Sequence, residues 1–144
     1  DWGLIGKLLA RYDDWSSGQP ELRWIVETPR DGEKLPPKSI DLAGNYLFTV
    51  QVKPTDGRNA LVTVIDKQDG KTVGIMHPGP EVGHQSGWVD TSHGIHAMQR
   101  ENGEYFILVE EDFRAKNLLY RWTPNENRDK HEKSDSARKK EDVR

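Results

Sequence analysis

The sequence predicts an all-β chain built from a repeated, antiparallel, four-stranded unit. Three observations predict it. The segment Gly44-Asn45-Tyr46-Leu47-Phe48-Thr49-Val50 returns 59 positions later as Gly103-Glu104-Tyr105-Phe106-Ile107-Leu108-Val109. Hairpin-type dipeptides punctuate the chain at Asp31-Gly32, Asp56-Gly57, Asp69-Gly70 and Asn102-Gly103, and Gly, Asn and Asp are the residues that tolerate the positive φ of tight turns. The runs between them are short and rich in Val, Ile, Leu, Tyr, Phe and Thr, which is strand chemistry.

Taken in order, the first element spans Lys7 to Asp13. Leu4, Ile5, Leu8, Leu9 and Tyr12 also fit one face of a helix. A strand is preferred, because Lys7-Leu8-Leu9-Ala10-Arg11-Tyr12-Asp13 superposes on Ala60-Leu61-Val62-Thr63-Val64-Ile65-Asp66. Trp15-Ser16-Ser17-Gly18 then matches Gln68-Asp69-Gly70 as a turn, with Trp15 as its aromatic cap or, if exposed, as a sugar platform. Leu22-Arg23-Trp24-Ile25-Val26 matches Lys71 through Met76. The chain thus reads as the last two strands of one unit (7–26), a full four-stranded unit (38–76) and the first three strands of a third (88–122). Alternation supports the last strand: Leu118, Tyr120 and Trp122 fall on one face, Leu119 and Arg121 on the other.

Multi-strand units repeated at this spacing are how β-propeller blades read in sequence. The prediction is about two and a half antiparallel four-stranded blades over residues 1–122. The strands placed nearest the axis, Ser39-Ile40-Asp41-Leu42-Ala43 and Gly94-Ile95-His96-Ala97-Met98, carry the small residues a crowded axis requires. A ring needs about four or more blades. The others are expected upstream of Asp1 or in another chain. Tyr46 and Tyr105 occupy one repeat position and read as packing residues, and Trp24 and Trp122 read as covers for blade-to-blade contacts. Residues 123–144 hold seven Lys/Arg and six Asp/Glu, with Ala137 and Val143 as the apolar residues besides proline. Such a stretch cannot bury enough surface to offset ordering entropy and reads as a charged, disordered tail.

Residues 87–122, from Gly87-Trp88-Val89-Asp90 to Leu119-Tyr120-Arg121-Trp122, resemble the C-terminal blades of secreted bacterial β-propeller proteins of the quinoprotein-like class. The resemblance is one of blade pattern. No Trp-Asp pair closes a strand, and there is no kelch double glycine and no Asp-x-Asp-x-Asp calcium loop. It implies an extracellular or periplasmic location and carries no active-site residue with it.

The composition limits the function classes. Residues 1–122 hold 14 Lys/Arg against 18 Asp/Glu, which is not the basic face that nucleic acid requires. The absence of cysteine excludes disulfides, thiol catalysis and Cys-ligated metals. No apolar run approaches the ~20 residues of a membrane-spanning helix. There is no G-x-S-x-G, P-loop, dinucleotide fingerprint or H-E-x-x-H, so no motif names a cofactor.

Chemistry concentrates in the connection from His77 to Met98, which holds four of the five histidines. His84, His93, Asp90 and Arg100 are the candidate catalytic set. Histidine serves as a base near neutral pH, an adjacent carboxylate fixes its tautomer, and Arg100 can neutralise an acidic substrate. Trp88, His96 and Gln85 are the candidate substrate-binding residues, Trp88 as a stacking face for a sugar ring. His93 and His96, three apart on a strand, fall on opposite faces, so no metal site is assigned. Two functions are carried forward. One is binding or processing of a saccharide, with a polysaccharide lyase or hydrolase as the enzyme class. The other is a propeller module for protein interaction or structure, without chemistry, and behind these two stands a redox or other cofactor propeller.

Overall fold

The structure, a computed structural model, describes residues 8–27, 29–30, 33–34, 37–51, 62–78, 81, 92–111 and 116–124. Eleven strands are described: β1 (Leu8–Asp13), β2 (Glu21–Glu27), β3 (Pro29–Arg30), β4 (Glu33–Lys34), β5 (Pro37–Ala43), β6 (Tyr46–Gln51), β7 (Val62–Asp66), β8 (Thr72–Met76), β9 (Ser92–Gln99), β10 (Tyr105–Glu111) and β11 (Lys116–Trp122). A single 3-10 turn, Trp15–Ser17, joins β1 to β2, and no α-helix occurs among the described residues. Every strand pairing is antiparallel between chain neighbours, giving the sheets β1-β2, β3-β4, β5-β6-β7-β8 and β9-β10-β11. The chain is therefore all-β, and its strands group two, four and three in the units the sequence marks. The Glu27–Lys38 connection, read as a loop, also carries the two-residue ladder β3-β4 on either side of Asp31-Gly32. None of these sheets closes on itself.

The middle sheet stacks against the third. Asp41 of β5 accepts a hydrogen bond from the Ala97 N–H of β9 at 2.7 Å, and Gly44 lies against Gln99 and the Tyr105 hydroxyl. From residue 41 to 44 and from 97 to 99, β5 and β9 therefore run in the same direction. Further out, Tyr46 and Phe48 of β6 meet Tyr105 of β10, and Trp122 of β11 covers Gly74 of β8. Strand order is the same in both sheets, with first strand on first strand.

The register explains the core. Asp41, Phe48, Val64 and Gly74 are cross-strand partners in the middle sheet, as are Ala97, Ile107 and Tyr120 in the third. Cross-strand partners share a face. The buried cluster Ala43, Phe48, Val50, Val62, Val64, Ile95, Tyr105, Ile107 and Val109 is where these two faces meet. Four rings lock one end of it: Trp122 stands edge-on to Tyr46 at 4.9 Å, and Tyr105 lies 5.5 Å from both Phe48 and Trp122. Such pairs each add about 0.5–1.5 kcal/mol beyond the area they bury. Burial pushes the Tyr105 and Tyr120 phenols above their ordinary range, a backbone hydrogen bond with Asn45 opposing it at Tyr105.

The echo needs one revision. Tyr46 and Tyr105 do pack, but against each other, edge-on at 5.4 Å. Two sheets stacked with the same direction and the same strand order turn opposite faces to their shared interface. Equivalent residues would point the same way, so these two tyrosines are not equivalent. The repeated letters lie one residue out of structural register, and a one-residue slip exchanges the faces of a strand.

Candidate functional site

The β1-β2 hairpin rests on the other face of the middle sheet. The cross-strand pair Arg11 and Trp24 turns inward, and both side chains donate to the Lys67 carbonyl, at 2.6 and 2.9 Å. Lys67 follows β7, and three residues on, Gly70 adopts φ +76. A Cβ there would come within 2.9 Å of Val26 and 3.0 Å of Trp24. Both tryptophans placed over sheet contacts by the sequence thus cover glycines of the middle sheet, Trp24 over Gly70 and Trp122 over Gly74.

The hairpin covers only part of the face it rests on. Leu47 and Ile65 are buried there, whereas Ile40 and Leu42, on the same face of β5, remain 50% and 57% exposed. Between them runs an open groove of about 580 Å³. Its walls are four consecutive residues of β1, Ala10 to Asp13, together with Trp15 and Trp24 on one side and Ile40, Leu42 and Leu47 on the other, with Lys67 also at its edge. Side chains of a strand alternate between faces, so a groove that touches four in succession runs along the strand's edge.

One rim is ionic. Arg11 donates twice to Asp13, at 2.7 and 2.9 Å, and Arg23 donates to it at 2.9 Å. The hydrogen bond from Arg11 holds the Asp13 carboxyl below the ordinary carboxylate range; desolvation opposes this and Arg23 reinforces it. A register shift between Arg11 and Tyr12 leaves Arg23 as the additional residue of β2 and turns it toward Asp13. Such bulges re-aim side chains. Beside this rim Trp15 is 69% exposed and stands edge-on to Tyr12 at 5.9 Å.

Neither His96 nor Arg100 is among the described residues that line this groove. His84, Gln85, Trp88 and Asp90 fall outside the described residues. His93 belongs to β9, and its side chain is outside them as well. His96 is placed on β9 with its Nδ1 3.8 Å from Asp41 and its side chain 74% exposed. Asp41 is held by the Ala97 and Leu42 N–H groups at 2.7 and 2.8 Å. The Arg100 guanidinium sits over the Phe106 ring at 4.9 Å. Four positions separate His96 from Arg100, about 13 Å of extended chain. Among the described residues no group of three His, Asp or Glu is arranged to hold a metal ion, and no helix is long and apolar enough to cross a membrane.

The groove and Asp41 escaped the sequence reading for different reasons. Ile40-Asp41-Leu42 alternates like an ordinary half-buried strand, and nothing in the letters says that its apolar side would be the bare one. The signal available was Trp15, read as an aromatic cap or, if exposed, as a sugar platform. Comparison with protein-family models, with curated proteins and with solved structures finds no match for this chain.

Proposed function

We propose that this chain is a run of β-propeller-type blades acting as a non-catalytic polypeptide-binding module. The observation that carries the reading is the stacking of the middle and third sheets, with common strand direction, common strand order and first strand on first strand. A stack of that kind has two open ends, and among the described residues both expose large apolar side chains. Leu8, Tyr12, Leu22 and Ile25 lie exposed on the outer side of the β1-β2 hairpin, and Met98 and Leu119 on the outer side of the third sheet. Exposed large apolar side chains at such ends are candidate contact points for a partner. The test is self-association of the chain at rising concentration, by sedimentation, in wild type and in Ile25→Lys and Leu119→Lys. Concentration-dependent association lost in both variants, with unchanged far-ultraviolet circular dichroism, supports the module. A wild type that stays monomeric throughout removes it.

A second reading, saccharide binding, is favoured by one observation. Trp15 presents an exposed indole beside Tyr12 and the Asp13–Arg23 ion pair, an aromatic platform with polar groups at its edge. A location outside the cytoplasm, implied by the propeller resemblance, accompanies it. Titration with neutral and acidic oligosaccharides should shift tryptophan emission in wild type and not in Trp15→Ala. A flat titration with both classes ends this reading.

A further inference from the structure

We propose that the groove beside β1 is an acceptor site for a two-stranded β-hairpin of another polypeptide segment, whose nearer strand adds antiparallel to the edge of β1 opposite β2. The proposal rests on the module reading and names its ligand.

The argument comes from the molecule's own repetition. In the middle sheet β7 has β6 on one side and β8 on the other, and in the third sheet β10 stands beside β11 with β9 beyond it. In the first sheet β1 has β2 in the place of β8, and among the described residues nothing stands in the place of β6. The edge left open among the described residues is therefore one that both sister sheets cover with a hairpin.

The surface beneath that position fits the same occupant. Where the third sheet lies on the middle one, the β9-β10 hairpin covers the Asp41 and Ala43 side of β5. On the opposite side of β5, Ile40 and Leu42 are uncovered, and they form the floor of the groove. This floor continues the half-buried contact that Trp24 and Val26 make with Gly70, in the turn between β7 and β8. A hairpin at this place would complete an interface already half built. Its backbone would pair with the β1 edge, and the apolar side chains of alternate residues would enter over Ile40 and Leu42. This is strand addition, in which main-chain hydrogen bonds supply affinity and alternate side-chain pockets supply selectivity. The occupant must alternate apolar and polar residues and turn tightly between its strands. The chain's own β5-β6 hairpin, residues 37–51, has that chemistry, with Ala43, Tyr46, Phe48 and Val50 on one face.

The test uses the 144-residue chain and a synthetic peptide of residues 37–51, with a peptide of the same composition but scrambled order as control. Hydrogen exchange at the amides of Leu8–Asp13 reads the edge, and binding is followed in wild type and in Leu42→Arg, a substitution at an exposed position. The proposal expects protection of β1 by the native-order peptide, none by the scrambled one, and affinity at least tenfold weaker in Leu42→Arg with thermal stability unchanged. Equal protection by both peptides overturns it, as does no protection of β1. Protection of β1 that grows with protein concentration in the absence of peptide and persists in Ile25→Lys also overturns it, because the occupant of the edge would then be a second copy. If the peptide fails while Ile25→Lys and Leu119→Lys still abolish self-association, the strand proposal falls and the module reading stands.

Discussion

Trp24 donates its indole N–H to the carbonyl of Lys67 at 2.9 Å, across 43 residues of chain, and so fastens the first hairpin to the turn that leaves β7. Arg11 shares that acceptor. Replacing Trp24 by Phe keeps an aromatic cover over Gly70 and removes the donor. The expected cost is about 1 kcal/mol, the usual net worth of a hydrogen bond. Faster amide exchange should be confined to β1 and β2. Urea denaturation with residue-resolved exchange checks both, and uniform loosening of all sheets would contradict this assignment.

Gly44 holds φ +49 in the two-residue turn between β5 and β6, and a Cβ there would collide with Gln99 and the Tyr105 hydroxyl. Gly103 also has positive φ, at +83, but open space beyond it. Gly44→Ala should therefore cost roughly 2–5 kcal/mol, the left-handed penalty and the overpacking together, and Gly103→Ala only about 1–2 kcal/mol. Equilibrium unfolding of the two variants measures the difference, which reports how closely β5 and β9 approach.

Asp13 supplies a pH dependence. Its carboxyl is held below the ordinary value of 3.8 by Arg11 and Arg23. A group with a depressed folded-state pKa stabilises the fold above its unfolded pKa, and that contribution fades as pH falls through the folded value. Asp13→Asn should thus melt lower than wild type at neutral pH, and the gap should close progressively below pH 3.8. Melting temperatures across that range test the sign.

Thr63 is fully buried in β7, and its hydroxyl has no hydrogen-bond partner among the described residues. Thr49, its cross-strand neighbour, donates to the Ser39 carbonyl at 3.1 Å. Thr63→Val exchanges an unsatisfied hydroxyl for a methyl group of similar size and should stabilise the chain by roughly 1 kcal/mol. Thr49→Val, which removes a satisfied donor, should destabilise it. Chemical denaturation of the pair separates the two cases.

The sequence by itself determined the strands and their grouping. β-branched and aromatic runs set β1, β2 and β5 to β11 within a few residues, and Asp69-Gly70 and Asn102-Gly103 marked turns that the structure contains. These are local properties, written in propensity and in the φ that particular residues tolerate. Tertiary structure alone decided which faces met. Tyr46 and Tyr105 look alike in sequence and yet confront each other, because strand period is two and the face a residue takes depends on its register. Whether Ile40 or Ala43 is covered depends on which sheets stand on either side of β5. A single strand carries its alternation, but the neighbour that hides one of its two faces is chosen only when the sheets stack.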